Sequence, residues 1–87
     1  MEAEINKLKN FDLLEPIPVK IENSDDLTTV STVDLPLYGE GDDIHEALDM
    51  LKDEIESLYA DLNEDDNFTD EWLKRKQYLN TIIIQKN

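Results

Sequence analysis

The clearest pattern in the chain is the recurrence of Ile44, Ala47, Leu48, Leu51, Ile55, Leu58 and Leu62 at spacings of three and four. That spacing predicts an amphipathic helix from about 44 to 62 with one apolar stripe to bury. Upstream, Ile17, Val19 and Ile21 alternate with Pro18, Lys20 and Glu22, the period-two pattern of a half-buried strand. Pro18 lacks a donor, which places this strand at a sheet edge. Asn23-Ser24-Asp25-Asp26 reads as a turn and the Thr- and Val-rich run from Leu27 to Leu35 as a second strand, so the two form a hairpin. Pro36 with a short Leu37-Tyr38 strand completes a three-stranded meander, enough for stability if a helix covers one face.

The chain ends are less regular. Residues 1–14 carry Ile5, Leu8, Phe11 and Leu13 among charges and read as an N-terminal extension or a short helix that stops before Pro16. Asn63 to Asn67 breaks the long helix, and Thr69 with Asp70 and Glu71 opens another. This second helix is expected to run to about Ile84, because Trp72, Leu79, Ile82 and Ile83 keep helical spacing. Thr81-Ile82-Ile83-Ile84 is β-branched enough to be a fourth strand instead. The predicted fold is α+β: a three-stranded antiparallel meander, a long helix on one face and a second C-terminal helix, with residues 15–87 as one domain.

Between strand and long helix lies Gly41-Asp-Asp-Ile-His-Glu46. Asp43 is placed to accept an N–H of the first turn and Glu46 to reach back to Asp43 N–H, a capping box. Gly41 is expected to take a positive φ in the turn.

Asp34-Leu35-Pro36, Gly41, Asp43 and Glu46-Ala47-Leu48 together resemble the HicB-like antitoxin domain. That family's pattern is a strand, Asp-Leu-Pro or a close variant, a short strand, Gly-x-Thr/Ser, and a helix opening Glu-Glu-Ala. Leu37 stands where the pattern commonly has glycine, and Asp43 where it has Thr or Ser. Leu35-Pro36-Leu37-Tyr38 and Arg75-Lys76-Gln77-Tyr78-Leu79 are similar to pieces of antitoxin-like proteins from RelE/RelB-type systems. The resemblance implies a module that binds a basic, RNA-cleaving toxin. Antitoxins of this type often carry a separate DNA-binding segment, for which no candidate is visible here.

Charge sharpens this picture. With 8 Lys and Arg against 22 Asp and Glu, the 87-residue chain has a formal net charge of −14. Such a balance disfavours phosphate backbones and favours basic partners, so no direct nucleic-acid binding is expected. An alternative within the same electrostatics is an acidic mimic of nucleic acid that blocks a nuclease or DNA-binding protein. There is no cysteine, hence no disulfide framework or thiolate chemistry, and no apolar run suited to a signal peptide or membrane span. The expectation is a cytoplasmic protein, with a homodimer possible because so small a core gains from a second copy.

Candidate chemistry is sparse. His45, the only histidine, has no Ser or Cys nucleophile fixed near it and reads as an exposed first-turn residue. Asp61 to Trp72 imitates a calcium loop, yet Asp66 stands where the sharp turn needs glycine and Trp72 where the bidentate glutamate belongs. No phosphate-cradling glycine loop occurs, so neither catalysis nor a metal or cofactor is expected. The residues left for a protein partner are Asp49, Asp53 and Glu56 on the polar face of the long helix, with Trp72 and Tyr78 as aromatic anchors on the second. Core cover over the sheet is the competing role for both aromatics. Lys74-Arg75-Lys76 reads as a local neutraliser of the acidic helix.

Overall fold

The structure, a computed structural model, describes residues 2–64 and 69–85. Its elements are β1 (Glu2–Lys7), β2 (Phe11–Ser24), β3 (Leu27–Thr32), β4 (Tyr38–Gly41), α1 (Ile44–Glu64), α2 (Asp70–Ile82) and β5 (Ile83–Gln85). The fold is α+β, an antiparallel sheet in the order β1-β2-β3-β4 with α1 across one face. Two strands more than the expected three are present, one at each end of the chain.

The β2–β3 hairpin forms as the alternation requires. Ser24 pairs with Leu27, leaving Asp25-Asp26 as the loop, and Asp25 has φ 51°, a left-handed conformation that Asp tolerates better than most residues. Thr28 Oγ1 donates to Asn23 Oδ1 at 2.9 Å beside the turn. Ile17, Val19 and Ile21 of β2 are buried with Thr28, Val30 and Thr32 of β3. At the far end Thr32 closes the Asp34-Leu35-Pro36 turn: its N–H donates to Leu37 O at 3.0 Å and its hydroxyl to Leu35 O at 2.7 Å.

β2 is an interior strand, not the edge that Pro18 suggested. Pro18 O accepts Val33 N–H at 3.3 Å, so the missing Pro18 donor also points to the β3 side, just past Thr32 where β3 ends. The proline thus sits where no ladder bond is owed.

The segment expected as an N-terminal extension or short helix is instead β1 and the start of β2. Ile5 pairs with Ile17 and Lys7 with Asp12, so Leu13 to Pro16 stand opposite Asn6 in an irregular interruption of the ladder. Ile5 and Leu8 are both buried, 2% exposed each, on the same face although three residues apart. Asp12 also pairs with Ile84, which puts β5 on the side of β2 away from β1. The second helix therefore ends at Ile82, and Ile83 to Gln85 is the strand that β-branching had offered as the alternative.

α1 buries Ala47, Leu51, Ile55 and Leu62 completely, with Ile44, Leu48 and Leu58 half-buried beside them. Asp43 Oδ1 accepts Glu46 N–H at 2.9 Å, while Glu46 Oε2 accepts the N–H of Asp42 at 3.0 Å rather than that of Asp43. Gly41 has no positive φ, nor does Gly39. Both are glycine because β4 runs against the helix backbone. A Cβ on Gly39 would collide with the Ala47 carbonyl oxygen and lie 2.6 Å from Leu51 N, and one on Gly41 would collide with Glu46 Cβ and lie 2.8 Å from Ala47 N.

Leu51→Asp is expected to unfold the domain, since it places an unpaired charge under the sheet at a cost of several kcal/mol. Gly39→Ala tests the close approach through its sign. In an ordinary strand alanine gains roughly 0.5–1 kcal/mol over glycine. Here overpacking should lower stability by about 1–3 kcal/mol, read as a lower denaturant midpoint with unchanged slope.

Candidate functional site

The three carboxylates expected to greet a partner lie together on the outer face of α1, but each already has an internal partner. Lys9 Nζ lies 3.1 Å from Asp49 Oδ2 and 2.9 Å from Asp53 Oδ1. Asn10 donates its backbone N–H to Glu56 Oε2 and its Nδ2 to Glu56 Oε1, both at 2.8 Å. The Lys9-Asn10 connection between β1 and β2 is thereby latched onto the helix. Phe11 continues the latch, stacking edge-on against Tyr59 at 5.2 Å. Hydrogen bonding to Asp53 and then Asp49 raises the Lys9 pKa above its usual 10.5.

This geometry changes what Asp49, Asp53 and Glu56 do. The Asp49 and Asp53 side chains remain largely open to solvent, at 65% and 62%, so they still contribute to the negative field. Replacing all three by lysine would also release the β1–β2 connection. Exposed carboxylates outside the latch include Glu40 on β4 and Glu54 and Asp61 on α1.

Both aromatics of the second helix pack half-buried against the core. The Arg75 guanidinium lies 4.5 Å from the Trp72 ring centroid, and Arg75 Nη2 lies 3.6 Å from Glu71 Oε1. Tyr78 borders a shallow hollow with Asp34, Glu71, Lys74 and Arg75. Burial, and then the charges of Asp34 and Glu15, raise its hydroxyl pKa above the usual 10.0. Among the described residues, nothing joins these aromatics to the carboxylates as one site.

His45 is exposed beside Glu46, Leu48, Asp49 and Lys52 in an open hollow. The stretch that imitates a calcium loop runs through 65–68, outside the described residues. Thr69 takes an extended N-cap conformation without a side-chain cap bond. Among the described residues no three His, Asp or Glu side chains are grouped to hold a metal, and no helix is long and apolar enough to cross a membrane. Comparison with family models, curated proteins and solved structures gives no match to this chain.

Two outcomes follow from the latch and from Tyr78. Glu56→Ala should cost on the order of 1 kcal/mol and speed hydrogen exchange at the Asn10 amide, since two hydrogen bonds to a carboxylate are lost at an exposed site. Unchanged exchange would show that the latch is not populated. Because the Tyr78 pKa is raised on folding, the unfolded chain releases that proton first, so its contribution is complete below the unfolded value and lost as pH rises through the folded one. Tyr78→Phe should accordingly reduce the fall in melting temperature measured above pH 10.0.

Proposed function

We propose that the chain is a small acidic protein-binding module of the antitoxin kind, acting in the cytoplasm without catalysis of its own, which neutralises a basic RNA-cleaving protein by covering its cationic surface. The observation that carries this reading is the charge of −14 on a domain whose apolar stripe is already consumed by its own sheet. What the outside of the molecule offers is chiefly carboxylate. The strand, Asp-Leu-Pro turn, short strand and capped acidic helix follow one another in the order that the HicB-like resemblance implies. Charge complementarity of this sort speeds and orients association more than it deepens affinity.

The test is affinity capture with the wild-type chain against Glu40→Lys/Glu54→Lys/Asp61→Lys, three positions off the latch and off the stripe. The expected result is capture by the wild type of a small basic protein whose RNA cleavage stops when the chain is added. Association should slow steeply between 0.1 and 1 M salt as the Debye length falls from about 10 Å to about 3 Å. The variant should keep its fold and lose most of the capture. Tight binding of duplex DNA or RNA by the chain at physiological salt would overturn the reading. Inhibition of a basic nuclease solely by occupation of its nucleic-acid groove would favour the acidic mimic.

A further inference from the structure

The two edges of the sheet differ. At β4 the backbone groups of Gly39 and Gly41 face β3, so those of Tyr38 and Glu40 face outward. Glu40 N–H is covered there by Met50 Sδ at 3.4 Å, and the strand is only four residues long. At β1 the ladder to β2 uses the backbone of Ala3 and Ile5, which leaves the N–H and C=O of Glu2 and Glu4 turned outward along a six-residue strand. No strand among the described residues pairs with that side.

The side chains of this open edge select its occupant. Glu2 and Glu4 stand two residues apart and exposed on the face of the sheet away from α1. Lys20 lies opposite Glu2, but Pro18 lies opposite Glu4, so β2 presents no cation across from Glu4. A second copy added antiparallel at β1 would set carboxylates against carboxylates, which is destabilising. A strand bearing lysine or arginine at alternate positions would meet both glutamates while its backbone filled the free donors and acceptors.

We infer that the open edge of β1 binds an extended basic segment of a protein partner by strand addition. This rests on the reading of the chain as a binder of basic proteins and gives the mode of docking. The free edge supplies main-chain hydrogen bonds, and Glu2 and Glu4 supply the sign of the partner's outward side chains. At β4 the Glu40 donor is already taken by Met50 Sδ.

The probe is a short capped peptide alternating lysine and valine, with its glutamate-for-lysine counterpart as control, titrated into the full chain and followed by amide hydrogen exchange. Binding should slow exchange at Glu2 and Glu4, leave Tyr38 and Glu40 unaffected, weaken with salt and be absent for the control. Glu4→Pro removes one outward donor without touching the Ala3 and Ile5 ladder bonds. It should weaken the lysine peptide roughly three- to tenfold, the worth of one hydrogen bond. Should that variant melt at a lower temperature, Glu2→Lys/Glu4→Lys keeps the edge donors and should invert the preference toward the acidic control. Protection confined to α1 or β4, equal affinity for Glu4→Pro in its folded state, or no binding of the lysine peptide would overturn the strand-addition mode. Failure of the wider reading shows separately, in the capture experiment.

Discussion

The constraint on which the arrangement depends is the contact of two backbones, β4 and the first turns of α1, with no side chain between them. Gly39 lies under the Ala47 carbonyl and the Leu51 amide, and Gly41 under Glu46 and Ala47. Because this contact fixes the helix in both height and rotation, it decides which residues face the sheet and which face out. Ala47 and Leu51, directly above, are wholly buried, and the stripe through Ile55 and Leu62 follows from the helical repeat. The same rotation turns Asp49, Asp53 and Glu56 toward the β1–β2 connection. Glycine here therefore serves approach, not turning, and the capping contacts at Asp43 and Glu46 hold the helix start beside the glycines.

The long helix and the β2–β3 hairpin were legible in the sequence because their apolar positions report a single regular period. The N-terminal strand was not, because Leu8 lies past the end of β1, in the connection to β2, and is buried three residues after Ile5. A spacing of three is what a helix would give. At the other end, Ile82, Ile83 and Ile84 fit a helix or a strand locally. The outcome is set by Phe11 to Leu13, which offer an unpaired side of β2 seventy residues earlier in the chain. Pairing of this kind leaves no local trace, and the β-branching at Ile83 and Ile84 only permits it.

The candidate surface was legible to the same degree and for the same reason. Asp49, Asp53 and Glu56, four and three apart, were visible as a polar stripe that must lie off the core. What helical spacing does not record is which loop arrives above that stripe. Lys9 and Asn10 do so only because the misread segment is a strand, whose turn into β2 passes over α1. One segment thus accounts for both differences: as a helix or extension it would leave these carboxylates without internal contacts, and as a strand it brings Lys9 and Asn10 to them. Trp72 was ambiguous in a milder way, since a half-buried indole under an arginine serves the core and the surface at once.

The latch also bears on how recognition and stability are joined in a chain this small. Folding an 87-residue domain leaves a large share of its surface in water. An excess of fourteen negative charges adds self-repulsion that Lys9 and Arg75 offset only locally. Both deficits have the same remedy, the arrival of cations on a complementary surface. A ligand that binds only the folded chain adds stability in proportion to the logarithm of its excess over Kd, about 2.7 kcal/mol at a hundredfold excess. For a domain of ordinary stability that is a substantial fraction of the total. Carboxylates kept outside the latch weaken the isolated domain, and the same carboxylates are what a cationic partner would find. The surface that costs the free molecule stability is therefore the one through which binding would restore it.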